Sequence, residues 1–237
     1  MSLQHPLVKE CVRLRCEKSV RTENGQVLLI GEKMIRELAE KTDLIALFST
    51  KSCNIRAKER YIVPEQILQK ITGLASPDGI AAIASLPKPQ LLERKQKILI
   101  LDKIADPGNL GTLLRTALAL NWDGVIFTPG TVDPFNDKAL RASKGALFSL
   151  PYANYSLEEL TEFVKPFYIY LADLKGVPLS KAKFQSPLAL ILSNEGAGPD
   201  KWAKPQAQKI SIPMSNNVES LNVAVSGAII LYAVGDL

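Results

Sequence analysis

The sequence predicts an α/β protein in two parts, a small α/β layer structure followed by a larger parallel sheet with helices on both faces. Three observations predict it. Apolar runs without polar alternation, such as Ile98-Leu99-Ile100-Leu101 and Leu188-Ala189-Leu190-Ile191-Leu192, suit strands buried on both faces. Segments of helical periodicity fall between these runs, the alternation expected of a parallel sheet. The stretch Leu86-Pro87-Lys88-Pro89-Gln90, with a charged continuation to Lys97, reads as a linker and divides the chain into residues 1–90 and 97–237.

In the first part, Leu7 to Arg15 reads as a helix, Gln26 to Ile30 as a strand running into Gly31, and Glu32 to Lys41 as a helix. Leu44 to Phe48 follows as a strand. Pro64 opens a further helix, because its missing N–H costs nothing in the first turn. Gly79 to Ala84 closes the part as a strand. In the second part, strand Ile98–Leu101 leads through a loop into a helix over Leu110 to Leu120. Next come strand Gly124–Phe127, a helix over Lys138 to Phe148, a helix over Glu158 to Val164 and strand Phe167–Leu171. Strand Leu188–Leu192, short strand Ile210–Ile212 and a last helix from about Ser220 to Val234 complete the chain. A sheet of this kind places its site at the carboxyl ends of its strands.

Composition removes several function classes. His5 is the only histidine among 237 residues, which argues against a Ser-His-Asp hydrolase and a His-ligated metal site. Cys11, Cys16 and Cys53 form neither a disulfide framework nor a zinc-ligand spacing. The N-terminal residues contain no apolar core of a secretory signal, and no apolar run reaches the length of about 20 residues that spans a bilayer. The expectation is a cytoplasmic protein with no membrane association.

The net charge of +5 is unevenly placed. Residues 1–96 carry 16 Lys and Arg against 11 Asp and Glu, and the remainder of the chain is neutral. Basic clusters lie at Arg13, Arg15 and Lys18 and from Lys51 to Arg60. They suit either a polyanion-binding face or a solvated one.

Three segments interrupt the apolar pattern where a parallel sheet would hold its site. In Asp106-Pro107-Gly108-Asn109-Leu110-Gly111-Thr112-Leu113-Leu114-Arg115, a turn signal opens a helix that carries Arg115 in its first or second turn, flanked by apolar residues. A guanidinium there calls for an anionic or oxygen-rich partner. Ser193-Asn194-Glu195-Gly196-Ala197-Gly198 follows a buried strand, and its glycines allow close approach of a ligand. Ile212-Pro213-Met214 precedes Val218-Glu219-Ser220-Leu221-Asn222-Val223, where Ser220 has the place of an ordinary N-cap. Singly, each is also compatible with an ordinary turn or cap.

In this order and spacing the three segments, joined by Arg141-Ala142-Ser143-Lys144-Gly145-Ala146, resemble the SpoU/TrmH branch of the SPOUT RNA methyltransferases. The resemblance covers residues 97–237. The first part resembles, on order and size, the ribosomal-protein-L30e-like substrate-binding domain that precedes this domain in some members. The chain has Ser193 where the family has Gly. The resemblance implies a C-terminal trefoil knot holding S-adenosylmethionine, with no metal, because a sulfonium is already an activated methyl donor. It implies catalytic-site residues Asn109, Arg115, Glu195, Ser220 and Asn222, and cofactor contacts at Ser193, Gly196, Ile212 and Leu221. Arg13, Arg15, Lys18, Arg141 and Ser143 are the candidate RNA contacts. The family's proposed base is Arg115. A guanidinium keeps its proton in proteins, which favours instead an orienting role toward a phosphate.

The implied reaction is 2′-O-methylation of an RNA ribose, with ribosomal RNA, of the 23S type, favoured over transfer RNA. A catalytically inactive RNA-binding relative is the alternative. A dinucleotide-dependent oxidoreductase lacks its GxGxxG fingerprint here, and no P-loop is present. The last helix has no charged side chain from Asn222 to Val234, so it is expected to be buried nearly all round and to join two copies as a homodimer.

Overall fold

The computed structural model describes residues 1–193, 207–215 and 217–235. These form two compact units. One comprises Met1–Pro87 with Asp133–Phe148, the other Lys88–Val132 with Ser149 to the C-terminus.

The first unit begins with α1 (Pro6–Cys16), capped by His5, whose Nδ1 accepts the Leu7 N–H at 3.2 Å. Helix α2 (Lys18–Asn24), strand β1 (Gln26–Ile30), helix α3 (Glu32–Ala39), strands β2 (Leu44–Ser49) and β3 (Glu59–Ile62), helix α4 (Glu65–Thr72) and strand β4 (Ile80–Ser85) follow. The sheet runs β1-β4-β2-β3, antiparallel except for the β2–β3 pair. Val8, Cys11 and Leu14 of α1 and Ile67, Leu68 and Ile71 of α4 pack with Leu28, Phe48 and Ile83 of the sheet. Burial pushes the Cys11 thiol up to about 12.

Two elements of this unit escaped the pattern reading. Helix α2 is short and carries one apolar residue, Val20, so it shows no periodicity. Strand β3 is a polar edge strand. Arg21 on α2 is 3% exposed. Its Nη1 donates to the Leu14 and Arg15 carbonyls at the C-terminus of α1, at 2.6 and 3.0 Å, and its Nη2 pairs with Asp133. That satisfies carbonyls that a helix end leaves without intrahelical partners.

The second unit opens with β5 (Lys97–Asp102), α5 (Pro107–Ala119) and β6 (Gly124–Phe127). The chain then contributes α6 (Asp137–Ser143) to the first unit. The helix expected to reach Phe148 stops earlier. Lys144 and Gly145 adopt positive φ, and a Cβ on Gly145 would stand 2.8 Å from Leu38 Cδ1. A 3-10 turn then covers Ala146–Phe148. Back in the second unit come β7 (Tyr152–Asn154), α7 (Leu157–Phe163), β8 (Tyr168–Pro178), β9 (Leu188–Ser193), β10 (Gln208–Ser211) and α8 (Val223–Gly235). The six strands are all parallel, in the order β10-β8-β9-β5-β6-β7.

The central strands are buried on both faces, as their unbroken apolar runs require. Ile98, Ile100 and Ile191 pack with Leu160 and Val164 at α7. The alternate residues face α5 and α8. Gly227 of α8 makes that packing close, since a Cβ there would lie 2.3 Å from Leu113 Cδ2 and 2.7 Å from Leu192 Cδ1.

Within the single chain, helix α8 is buried on one side only. Ala224, Gly227, Ile230, Leu231 and Val234 are buried, while Val225, Ile229 and Tyr232 form an exposed apolar stripe. Its low charge therefore does not mean burial within its own unit. Among the described residues no helix is long and apolar enough to cross a membrane.

Candidate active site

Strands β9 and β5 end side by side, with Ser193 in register with Asp102. Asp102 is fully buried, and its Oδ1 accepts the Thr128 hydroxyl at 2.8 Å. Thr128 Oγ1 in turn accepts the Lys103 N–H at 3.1 Å. This network fixes the start of the loop into α5. Asp106 then caps α5, its Oδ1 accepting the Asn109 N–H at 2.8 Å, and Pro107 occupies the first helical position.

Because α5 begins at Pro107, Arg115 lies in its third turn rather than its first or second. It stands with Thr112 and Ala119 on the exposed side of the helix, opposite buried Leu113, Leu114 and Ala117. The apolar neighbours in sequence thus do not surround the guanidinium. Among the described residues Arg115 makes no hydrogen bond or ion pair.

Asn222 joins two of the motifs. Its Oδ1 accepts the N–H groups of Ala224 and Val225 at 2.9 and 3.4 Å, so Asn222 caps α8, and Ser220 does not. Its Nδ2 donates to Asn109 Oδ1 at 3.1 Å. One side chain therefore starts the last helix and ties it to the first turn of α5.

A cavity of about 640 Å³ opens beside this pair, at the carboxyl end of β9 and along the middle of β8. Ser193, Ile212, Ser220 and Leu221, all singled out in the sequence, line it. Leu192, Ile210, Val223 and Ile230 add apolar wall, and Ser211, Met214, Glu219 and Ser226 complete that side. Glu195 and Gly196 lie outside the described residues.

The remaining wall was missed in the sequence. It consists of Ala172, Asp173, Leu174, Lys175 and, from β10, Lys209. Asp173 Oδ2 pairs with Lys209 Nζ at 2.8 Å, and its Oδ1 accepts the Lys175 N–H at 2.8 Å. The Lys209 hydrogen bond, then the Lys175 N–H, holds the Asp173 carboxyl below its ordinary range. No periodicity marks these residues, because they lie where the pairing of β8 with β10 shifts register.

The candidate RNA contacts lie in the first unit. Arg13 is exposed and pairs with Glu17 at 3.3 Å, Lys18 is exposed, and Arg141 pairs with Asp137 at 2.6 Å. Arg15 lies over Gly73, where a Cβ would meet its Nη1 at 1.9 Å. Ser143 is buried and its hydroxyl donates to the Leu140 carbonyl at 3.1 Å, so that hydroxyl serves the end of α6 rather than facing outward. By contrast Lys51, Arg56, Lys58 and Arg60 are all exposed, and among the described residues their side chains have no hydrogen-bonding or ion-pair partner.

Among the described residues no cluster of His, Cys, Asp and Glu is placed to hold a metal. The adenosyl cofactor passes a test of fit. The cavity has the size of a small-molecule site, which typically spans about 300–1,000 Å³. It combines apolar walls suited to a purine with hydroxyls and charges of both signs suited to a ribose and an amino-acid group.

Comparison with known proteins bears on the same residues. Residues 96–232 match the SpoU rRNA Methylase family. The Bacillus subtilis 23S rRNA (guanosine(2553)-2′-O)-methyltransferase RlmP is 31% identical to this chain, over 98% of this chain and 96% of its own length. Among solved structures, an AdoMet-bound rRNA methyltransferase from Sinorhizobium meliloti superposes with a TM-score of 0.86 at 25% identity, covering 99% of this chain and 95% of its own. A structure described as an RNA 2′-O ribose methyltransferase superposes with a TM-score of 0.83 at 27% identity, covering 98% and 96%.

Proposed function

This chain belongs to the SpoU rRNA methylase family, and on that premise we propose that it methylates a ribose 2′-hydroxyl of 23S ribosomal RNA with S-adenosylmethionine as donor. One observation carries the proposal. Ser193, Ile212, Ser220 and Leu221 converge on a single cavity, and the Asn222–Asn109 hydrogen bond at its margin adds the first motif.

Ser193, Ile212 and Leu221 hold the cofactor, with Gly196 assigned to the same task by its motif. When bound, the cofactor supplies an activated methyl group. The chain must place a weakly acidic hydroxyl against that methyl and exclude other geometries. Asn222 and Asn109 are hydrogen-bonded beside the cavity, and Ser220 lines it. Arg115, exposed on α5, is available to an RNA phosphate next to the target ribose. A planar guanidinium binds two phosphate oxygens at once, which orients the nucleotide as well as attracting it. Glu195 is assigned to the same site by its motif.

The first unit is assigned to RNA, in the manner of an L30e-like domain. Lys18, Lys51, Arg56, Lys58 and Arg60 are exposed cations, and the exposed ion pair of Arg13 with Glu17 is weak enough for a phosphate to displace the carboxylate. A knotted C-terminal part is assigned on the family resemblance. The stripe of Val225, Ile229 and Tyr232 supports a homodimer through α8, and the protein is assigned to the cytoplasm.

The test is a map of 2′-O-methyl positions in ribosomal and transfer RNA from cells with and without the gene. One 23S position should disappear on deletion and return with the wild-type gene but not with Arg115→Ala. An unchanged map would overturn the reading, and loss of a transfer-RNA position would move the substrate.

A further inference from the structure

Strand β8 pairs with β10 in two separate stretches. Gln208 and Lys209 oppose Tyr170 and Leu171, whereas Ile210 and Ser211 oppose Val177 and Pro178. Residues 172–176 fall between, and this excursion forms one wall of the cavity. Three contacts shape it. Asp173 Oδ1 closes a turn on the Lys175 N–H, Asp173 Oδ2 meets Lys209 Nζ at 2.8 Å, and the Ser211 hydroxyl donates to the Gly176 carbonyl at 2.9 Å. The excursion presents Leu174 at the cavity, 65% exposed. A large apolar side chain held in water beside a cavity, by a turn with its own ion pair, has no role in its own unit's core. A ligand that covers it supplies one.

We propose that the Asp173–Lys209 ion pair is a positioning device for the cofactor: it pins residues 172–175 so that Leu174 packs as an apolar wall against the bound adenosyl group. The inference rests on the cofactor reading of this cavity and adds residues that the three motifs do not contain. Asp173 and Lys209 act through Leu174 and are positioning residues.

The substitutions separate the parts. Asp173→Asn keeps an oxygen for the Lys175 N–H and removes the ion pair. Lys209→Met removes the pair from the other side, and Lys209→Arg retains it. Leu174→Ala removes the apolar contact while touching nothing in the core. The measurements, all on the full chain, are calorimetric affinity for S-adenosylhomocysteine, thermal midpoint, and KM and kcat for S-adenosylmethionine. Asp173→Asn and Lys209→Met should weaken affinity about threefold to fivefold, the range of a partly exposed ion pair, and Leu174→Ala about fivefold. KM should rise by the same factors with kcat lowered less than twofold, and the midpoint of Leu174→Ala should match wild type. Lys209→Arg should restore affinity. The Asp173→Asn/Leu174→Ala double variant should be no worse than Leu174→Ala alone, because both act through one contact. Wild-type affinity in Leu174→Ala, or additive losses in the double variant, would overturn the inference. Absence of binding by the wild-type protein would instead sink the cofactor reading itself.

Discussion

Gly176 sits where β8 rejoins β10, and Gly176→Ala is expected to damage stability and cofactor binding together. A Cβ there would stand 2.5 Å from both the N and C atoms of Ile210 and 2.6 Å from Lys209 C. Those are backbone atoms, so no side-chain rotation relieves the clash. The strands must part by about 1 Å to reach the carbon–carbon optimum of roughly 3.5 Å or more. Overpacking of this kind costs about 1–3 kcal/mol, and losing the Ser211–Gly176 hydrogen bond adds roughly 0.5–1.5 kcal/mol. Alanine returns about 0.4–1 kcal/mol by restricting the unfolded chain. The net loss is about 0.5–4 kcal/mol, equivalent to a fall of roughly 1–16 °C in thermal midpoint for a chain of this size. Thermal unfolding by circular dichroism measures it. Calorimetry with S-adenosylhomocysteine should show weakened binding, because Lys209 and Ile210 line the cavity. Gly227→Ala is the comparison, since only the Cδ atoms of Leu113 and Leu192 obstruct it and both can move. It should cost less. A Gly176→Ala protein with wild-type midpoint and affinity would refute the steric argument.

Arg115→Ala should abolish methyl transfer and leave S-adenosylhomocysteine binding intact, since Arg115 neither lines the cavity nor supports the core. Arg115→Lys should also fail, and near-normal turnover in the Lys variant would rule out two-point orientation of a phosphate. Sedimentation at micromolar concentration should show a dimer, and Ile229→Glu, in the exposed stripe of α8, should give monomers with native circular dichroism. A wild-type monomer that methylates RNA would end the dimer proposal. Cys11 keeps its proton up to about 12, above the ordinary thiol. Its folded-state pKa is raised, so the stability it lends is complete below the unfolded value of about 8.5 and is lost as pH rises from there toward 12. Urea midpoints should fall more steeply with alkaline pH for wild type than for Cys11→Ala. At neutral pH a thiol reagent should modify exposed Cys16 and leave Cys11 untouched until unfolding.

By itself the sequence determined the parallel sheet and most of the elements, because burial on two faces imposes an unbroken apolar run and burial on one imposes a period. The segments that hold Asn109, Arg115, Ser193, Ser220 and Asn222 were visible as interruptions at strand ends and helix starts, and the family resemblance picked those residues out of them. Tertiary structure alone decided the rest. Ser220 read as the cap of the last helix, and only the start of α8 at Val223 selects Asn222 instead, whose amide then reaches Asn109. Arg115 looked enclosed because its sequence neighbours are apolar, yet a helix turns those neighbours to its other side. Arg21 carried no signal, for its partner Asp133 lies 112 residues away. Asp173, Leu174 and Lys209 were equally silent. Their place in the cavity wall comes from a shift in pairing between two strands, and pairing register depends on where the partner strand arrives rather than on any periodicity of its own.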